Sequence, residues 1–304
     1  MKIVFFGTPE FAVPFIDTLY NDKEIDIQAV VTQPDKEAGR KKTLTPPPVK
    51  IKAAELGISV LQPIRLKNNP ELINLLKGLK ADFFVVIAYG KIMPEEILEI
   101  PKYGTINVHG SLLPKYRGAS PIQSAILNGD KETGLSIIKI NEELDAGDIY
   151  LLKKDAVKDD DTYATLAERL SIIGSIMLPA ALKDIYNGIL TPIPQNESKA
   201  TKCIKFTKSD ALIDPSNDEA EKIYNKLRAF TPWPGIYLNF KGKRIKILKA
   251  LLFGEEKNIK PGVFNVDNKE LLLGTKKGIL KILEIQPEGK KPMQPNEFIN
   301  GFLR

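Results

Sequence analysis

The feature that most constrains the fold is an alternation of short apolar runs with amphipathic segments along the first 190 residues. The run from Phe83 to Tyr89 is rich in Val and Phe and too short for a typical helix, which predicts a central parallel strand buried on both faces. The run 2–6 ends at Gly7 and is followed by a helix start at Pro9 and Glu10. Alternation of this kind predicts an α/β fold with a Rossmann-like, open and mostly parallel sheet.

The same reasoning divides the rest of this part of the chain into elements. We predict strands at 2–6, 28–32, 59–61, 83–89, 105–108, 135–140 and 149–152, the last two as an antiparallel addition. Helices are predicted after Pro9 and at 49–56, 70–79, 121–127 and 163–186.

After residue 190 the pattern changes. The segment 191–205 begins polar and Pro-bearing without a periodic apolar face, which predicts a linker between a first domain, 1–190, and a second, 206–304. One helix is predicted at 219–229, followed by five short strands at 236–240, 245–252, 262–266, 271–274 and 279–285. Five strands at this spacing predict a small β-barrel resembling the OB fold.

Composition restricts the class of protein. Of the 304 residues, 43% are hydrophobic and 27% charged, as in soluble globular proteins. The single Cys excludes an internal disulfide and a thiolate metal cluster, so we expect a cytoplasmic protein. The most apolar run, 83–89, is far shorter than the roughly 20 residues of a membrane span, and residues 1–6 lead into Gly7 without a cleavage-site pattern. We therefore expect no membrane span and no signal peptide, and nothing in the sequence demands more than a monomer.

The net charge of +6 is unevenly distributed. Residues 206–304 contain 18 basic and 12 acidic residues, whereas residues 1–205 contain 26 of each. A basic second domain beside a neutral first one favours contact with a polyanion such as nucleic acid. A solvated surface rich in lysine is an equally good interpretation of the charge alone.

The first domain lacks the common phosphate-binding motifs. The turn Gly7-Thr8-Pro9-Glu10 does not have the Gly-x-Gly-x-x-Gly spacing, and Gly-x-x-x-x-Gly-Lys-Ser/Thr is absent from the sequence. The only histidine, His109, lies two residues after Asn107, so a strand places both side chains on one face near its carboxyl end. Open α/β sheets bind their ligands at that edge.

A third candidate lies in the segment Leu144-Asp145-Ala146-Gly147-Asp148, from which Asp145 could reach His109 in space. A carboxylate beside an imidazole favours its protonated form and orients it, and the Asn107 amide can donate to an oxygen on which charge develops. This trio suits attack on a carbonyl carbon. Asp145 could instead be a turn residue, since Asp-Ala-Gly-Asp is good turn chemistry. We expect no metal site, because the possible ligands are few and not clustered.

Several motifs together carry a resemblance. Residues 107–114, Arg117-Gly118 and 145–148 resemble the motifs of the folate-dependent formyltransferases. Residues 6–11, 33–40 and 229–234 resemble those of one branch of that family, which acts on an aminoacylated tRNA. The match spans nearly the whole chain.

The resemblance implies transfer of the formyl group of 10-formyltetrahydrofolate to the α-amino group of methionine esterified to initiator tRNA, for translation initiation. Asn107, His109 and Asp145 would be catalytic: Asn107 and His109 would stabilise the oxyanion, and His109 and Asp145 would move the proton through water. Which of them is the formal base stays open. The same resemblance assigns a folate pocket to Ser111, Leu112, Leu113, Pro114, Tyr89 and Gly90. Ordinary packing of the loop and the strand end is the alternative interpretation of these residues.

A basic segment between the second strand and the following helix, residues 35–48, is predicted to be a flexible insertion too polar for the core. By resemblance it enters the acceptor end of tRNA with Arg40, and Lys41 and Lys42 would add phosphate contacts. A merely solvated loop is the alternative. The resemblance also brings the second domain to tRNA, consistent with its basic residues Lys241, Lys243, Arg244, Lys246, Lys249, Lys276, Lys277, Lys281, Lys290 and Lys291. The only Trp, Trp233, is expected to pack at the domain junction.

Two other functions fit parts of the sequence. A folate formyltransferase acting on glycinamide ribonucleotide or an amino sugar would share the trio but would not need the basic second domain or the Arg40 segment. A non-catalytic RNA-binding protein with this fold would not be expected to keep its only histidine within an intact trio.

Overall fold

The structure is a computed structural model that describes residues 1–39, 42–255 and 257–303. The chain forms two compact units. The first contains residues 1–121, 133–155 and 167–203, and the second contains 122–132, 156–166 and the chain from Ile204 onward.

The first 203 residues supply eleven strands and six α-helices among the described residues. The strands are β1 (Lys2–Gly7), β2 (Asp26–Val31), β3 (Lys36–Ala38), β4 (Thr43–Thr45), β5 (Val60–Leu61), β6 (Phe83–Ile87), β7 (Thr105–His109), β8 (Arg117–Gly118), β9 (Glu132–Lys139), β10 (Ile149–Ala156) and β11 (Lys202–Cys203). The helices are α1 (Val13–Asn21), α2 (Pro48–Glu55), α3 (Pro70–Gly78), α4 (Glu95–Leu98), α5 (Pro121–Leu127) and α6 (Tyr163–Tyr186).

Seven strands form the main sheet, in the order β10-β9-β7-β6-β1-β2-β5. The ladders from β7 through β6, β1 and β2 to β5 are parallel, and β9 pairs with β7 in the antiparallel sense. This confirms the predicted Rossmann-like, mostly parallel sheet with an antiparallel addition. All predicted strands and helices of this part of the chain are present, with ends shifted by a few residues.

The centre of the sheet is an aromatic core. All five residues of β6 are buried, and the Phe6 ring of β1 lies 5.2 Å from that of Phe84. Tyr89, just beyond β6, packs edge-on against Phe6 at 5.5 Å. Strands covered on both faces carry continuous apolar runs, and that is why β6 is recognisable from the sequence.

Helix α6 is the longest element. Among the described residues, it alone is long and apolar enough to cross a membrane by length and composition, and 56% of its most apolar window is buried within the fold. The core helix of a soluble protein passes the same test, so this finding is weak evidence for a span.

The second unit contains the predicted helix and five predicted strands. They are α7 (Ala220–Ala229), β12 (Ile236–Phe240), β13 (Lys243–Leu252), β14 (Phe264–Asp267), β15 (Glu270–Gly274) and β16 (Ile279–Pro287), with a short helix α8 (Pro295–Phe298) near the end. The sheet is antiparallel, in the order β12-β13-β16-β15-β14. Its edge strands curl toward each other, since the rings of Phe240 and Phe264 lie 5.1 Å apart with Phe298 beside them. The predicted small β domain is confirmed.

Two segments have more structure than the sequence indicates. The insertion 35–48, predicted to be a flexible loop, contains the antiparallel hairpin β3–β4. In the segment predicted as a linker, 191–205, Ile193 bridges to Ile149 and β11 pairs in parallel with β8. Strands β3, β4 and β11 are two or three residues long and lie in segments without a periodic apolar face, so sequence patterns do not reveal them.

Candidate active site

Strand β7 places the first two candidate residues. His109 ends the strand, opposite Ser136 of β9, and Asn107 lies opposite Ile138 of β9 and Val86 of β6. Alternation along the strand puts both side chains on one face. His109 is 6% exposed and Asn107 is half-buried. The side-chain amide of Asn107 has no hydrogen-bond partner among the described residues, so it is available to a ligand.

Both ring nitrogens of His109 face oxygen atoms. Nε2 lies 2.9 Å from the carbonyl oxygen of Tyr116 and must carry the proton in this contact, because a carbonyl only accepts. Nδ1 lies 3.6 Å from Oδ2 of Asp145. A proton on Nδ1 would therefore create an imidazolium facing a carboxylate, with its other N–H already bonded.

The Asp145 carboxylate is held by a main-chain hydrogen bond. Its Oδ2 accepts a hydrogen bond of 2.8 Å from the backbone N–H of Gly118, and its main chain has φ +52, in the left-handed region. The structure thus brings His109 and Asp145 together, with Asn107 on the same face of β7. The main chain of Tyr116 and Gly118, on either side of Arg117, supplies the partners of both. Sequence reasoning did not name Tyr116, and it named Gly118 only within a motif and without this role, because main-chain contacts leave no side-chain pattern to read.

The loop after His109 is fixed by a serine from β9. Ser136 Oγ donates to the carbonyl oxygen of Ser111 at 2.6 Å and accepts from the N–H of Leu113 at 2.9 Å. Ser111 is itself buried and donates to the carbonyl oxygen of Lys115 at 2.5 Å. Of the four predicted folate residues here, Leu112 and Pro114 keep exposed surface, whereas Ser111 and Leu113 are buried in the loop.

Tyr89 and Gly90 contribute differently from each other. The Tyr89 side chain is 1% exposed within the aromatic core, and its hydroxyl has no hydrogen-bond partner among the described residues. Burial raises the pKa of Tyr89 to about 12. Its carbonyl oxygen, in contrast, accepts from Thr8 Oγ1 at 2.9 Å and Gln33 Nε2 at 3.1 Å, and Gly90 is exposed with φ +81. At the end of β6, the exposed Gly90 and the main chain are therefore the parts that can face a ligand, while the Tyr89 ring is part of the core.

The base of the hairpin β3–β4 is anchored by Asp35. Its carboxylate accepts from Gln62 at 2.7 Å and Lys50 at 2.8 Å, and these hydrogen bonds lower the pKa of Asp35. Of the predicted tRNA residues, Lys42 is exposed at the turn of the hairpin, with φ +49. Arg40 and Lys41 lie outside the described residues.

A cavity of about 650 Å³ opens near the start of β7. Its lining includes Thr105, two residues before Asn107, and the segment 140–142, three residues before Asp145. Glu95 and Glu142 also line it, and the charge of Glu142 and a hydrogen bond with it raise the pKa of Glu95. Within the described chain no cluster of three or more His, Cys, Asp or Glu could hold a metal ion.

The basic residues of the second unit are mostly exposed. Arg244 stacks over the Tyr237 ring at 4.3 Å. Lys249 pairs with Glu284 at 3.0 Å and Lys281 with Glu270, so these two charges are partly neutralised. Trp233, between α7 and β12, is half exposed.

Family models account for most of the chain. Residues 1–182 match the model "Formyl transferase", and residues 205–303 match "Formyl transferase, C-terminal domain". The chain belongs to the formyl transferase family, as the motifs predicted, and this is a family of enzymes.

Relatives narrow the class. The chain is 46% identical to "Methionyl-tRNA formyltransferase" of Thermodesulfovibrio yellowstonii, over 98% of this chain and 95% of the relative. It is 44% identical to the protein of the same name from Dictyoglomus thermophilum, over 99% and 97%. The branch predicted from residues 6–11, 33–40 and 229–234 is confirmed.

Solved structures support the fold. HypX from Aquifex aeolicus in complex with tetrahydrofolic acid has a TM-score of 0.63 at 19% identity, and the match covers 100% of this chain and 48% of that chain. WlaRD, a sugar 3N-formyl transferase in the presence of dTDP and 5-N-formyl-THF, has a TM-score of 0.68 at 19% identity, over 96% and 99%.

Proposed function

We propose that the protein transfers the formyl group of 10-formyltetrahydrofolate to the α-amino group of methionine on initiator tRNA, for translation initiation. The observation that carries the proposal is the placement of Asn107, His109 and Asp145 at the carboxyl end of β7, in a chain similar over its whole length to methionyl-tRNA formyltransferases. We assign these three residues the catalytic roles.

The reaction needs one bond made and one broken. The amine attacks the formyl carbon, the carbonyl oxygen takes up negative charge, and the tetrahedral intermediate collapses as the bond from carbon to N10 of the folate breaks. The electron pair goes to N10, which receives the proton lost by the amine. The product is formylmethionyl-tRNA beside tetrahydrofolate.

Each member of the trio suits a step. The free amide of Asn107 can donate to the oxyanion, and a well-placed donor of this kind contributes about 3 to 4 kcal/mol. Asp145 has one oxygen bonded to Gly118 N–H, which leaves the other to accept the amine proton, directly or through water. His109 faces Asp145 through Nδ1 and balances its charge when protonated. Proton transfer of this kind supplies roughly 10² to 10⁴ in rate.

The folate is proposed to bind beside the trio. Leu112, Pro114 and Gly90 keep exposed surface for it, and Ser111, Leu113 and Tyr89 shape that surface from beneath. The cavity at Thr105 has a volume in the usual range for ligand pockets, about 300 to 1,000 Å³, and its carboxylates suit the amino group of a pterin ring.

The tRNA is proposed to contact the basic residues. Arg40, Lys41 and Lys42, together with the exposed lysines of a domain spanning 206–304, would bind phosphates, which gives affinity without sequence information. We propose residues 1–190 as the catalytic domain, with 191–205 joining the two. The single Cys supports a cytoplasmic location, and we propose a monomer.

The test is formyl transfer from 10-formyltetrahydrofolate to methionine-charged initiator tRNA, beside charged elongator methionine tRNA and glycinamide ribonucleotide, with wild type and His109→Asn. We expect activity on the initiator tRNA alone, reduced at least about 100-fold by the substitution. Activity only on glycinamide ribonucleotide would retain the trio and overturn the tRNA substrate. Absence of turnover on any acceptor, with tRNA binding intact, would favour a binding protein.

A further inference from the structure

The segment Gln195–Cys203 lies between the two family matches, which end at residue 182 and begin at 205. It is part of the first unit and contacts the main chain that holds His109 and Asp145. Nothing in the proposed chemistry uses it.

Gln195 binds the segment that carries Asp145. Its Nε2 donates to the carbonyl oxygens of Asp145 at 2.8 Å and Gly147 at 2.7 Å. Its Oε1 accepts from Nε of Arg117 at 3.0 Å and Nη2 at 2.8 Å. Two acceptors on one side and two donors on the other leave only one orientation for the amide.

Arg117 is the buried partner in this network. It also binds Glu197, with Nη1 to Oε2 at 3.0 Å and a contact of 2.6 Å from Nη2 to Oε1. These hydrogen bonds from Arg117 lower the pKa of the Glu197 carboxyl, although its side chain is 69% exposed. A bidentate pair of this kind fixes the plane of the guanidinium, and the plane in turn orients Gln195.

The main chain of the segment follows that of residues 114–118. Arg117 N–H donates to the carbonyl oxygen of Thr201 at 2.8 Å, and Tyr116 N–H donates to Thr201 Oγ1 at 2.9 Å. Gly118 has φ +123, and a Cβ there would lie only 2.2 Å from the carbonyl oxygen of Cys203. The strand that supplies the partners of His109 and Asp145 is therefore itself held by the segment.

Asp145 needs such support because of its main chain. A non-glycine residue in the left-handed region is uncommon, and surrounding contacts are needed to hold it there. Gln195 bonds the carbonyl of that residue and of Gly147, two positions further along. Without these bonds Asp145 is free to return to an ordinary conformation, which moves its carboxylate from His109.

We propose that Gln195, oriented by Arg117 and Glu197, is a positioning residue that holds the Asp145 carboxylate beside Nδ1 of His109. The expected loss of formyl transfer rests on the proposed function. The expected displacement of the Asp145 carboxylate from His109 does not.

The kinetic test uses Gln195→Met, which keeps the length of the side chain and removes both donors. We expect kcat for formyl transfer to fall about 30- to 300-fold, with KM for both substrates within about threefold. Ser198→Ala, at an exposed residue of the same segment whose hydroxyl bonds only Asn196 among the described residues, should match wild type. Glu197→Gln, which removes the charge of an exposed side chain and keeps its length, should reduce kcat about 3- to 10-fold.

A double variant separates positioning from general damage. If Gln195 acts through Asp145, Gln195→Met combined with Asp145→Asn should be no slower than Asp145→Asn alone, within about twofold. Multiplying effects in the double variant, or a Gln195→Met enzyme within about threefold of wild type, would overturn the proposal.

A second readout does not depend on activity. His109 is the only histidine, so ¹⁵N-histidine labelling gives one imidazole spectrum from the whole chain. We expect Gln195→Met to shift its Nδ1 signal in the direction seen for Asp145→Asn, and Ser198→Ala to leave it unchanged. An unmoved signal would contradict the positioning role. A moved signal in a protein without formyl transfer would retain that role and reject the proposed function.

Discussion

Tyr89 contributes its main chain to the ligand edge of the sheet and its side chain to the core. Its carbonyl ties together the residues that follow β1 and β2, Thr8 and Gln33, while its ring packs against Phe6. The hydroxyl is buried without a hydrogen-bond partner in the described part of the chain, an arrangement that costs stability.

Tyr89→Phe should therefore increase the free energy of unfolding, by about 1 kcal/mol, in urea titrations at neutral pH. The KM for the folate should stay within about twofold of wild type, because the ring faces the core. A loss of folate affinity of about tenfold or more would show that the hydroxyl contacts the ligand.

The same residue predicts a difference at alkaline pH. Burial raises the Tyr89 pKa to about 12, above the value near 10 of an unfolded chain. The unfolded state ionises first, so ionisation of this group leaves the free energy of unfolding unchanged below about pH 10 and lowers it as pH rises toward about 12. Between about pH 10 and 12, the free energy of unfolding of wild type should fall by on the order of 2 kcal/mol more than that of Tyr89→Phe. Parallel stability curves for the two proteins would contradict the burial of the hydroxyl.

Helix α6 packs closely where it carries Gly174. A Cβ at this position would lie 2.6 Å from Cζ of Phe15 and 2.9 Å from Cδ1 of Leu135. The glycine is there because α6 lies too close to Phe15 of α1 and Leu135 of β9 for a side chain, although glycine is a poor helix former.

Gly174→Ala should destabilise the protein by about 1 to 3 kcal/mol in urea unfolding, because overpacking outweighs the gain in helix propensity. Gly78 of α3 is the matched control, since nothing lies within 4 Å of a Cβ built there. Gly78→Ala should be neutral or stabilising by up to about 1 kcal/mol. Equal effects of the two substitutions would rule out close packing as the reason for Gly174.

The hairpin β3–β4 is an exposed element on a fixed base. Lys50 and Gln62 hold Asp35 at its start, so charge at the tip can change without disturbing the anchor. Its proposed role is phosphate binding, which predicts a particular dependence on salt.

Replacing Arg40, Lys41 and Lys42 together by Ala should raise KM for charged tRNA and leave KM for the folate unchanged. The slope of log kcat/KM against log salt should become shallower by about 0.7 to 0.9 for each phosphate that the hairpin no longer neutralises. A control with the same charge change replaces the exposed Lys23, Lys67 and Lys77 by Ala. An identical salt dependence in both triple variants would argue against a specific role for the hairpin.

Across the whole molecule, the sequence predicts the parts of the fold that repeat a local pattern. Strand β6 is a continuous apolar run, and β12 to β16 are short apolar segments separated by turns of Gly, Asn and Lys, so both sheets follow from local patterns. The face shared by Asn107 and His109 follows in the same way.

What the sequence does not predict depends on contacts between distant residues. Gln195 reaches the Asp145 main chain across 50 positions, and the partners of His109 and Asp145 are a carbonyl and an amide that every residue type has. A polar segment such as 191–205 has the composition of a linker whether or not it is ordered. Motif resemblance names Arg117 and Asp145. It does not show that Arg117 orients Gln195, the residue that holds the Asp145 main chain.

The most direct test of the account is the single-turnover rate of formyl transfer to methionyl initiator tRNA by Asp145→Asn. The Asn Oδ1 can still accept from Gly118 N–H, so this change removes the charge and leaves the hydrogen bond that holds the side chain. We predict a rate at least about 100-fold below wild type, with tRNA affinity within about twofold. A rate within about threefold of wild type would contradict the assignment of Asp145 and His109 as the groups that move the proton.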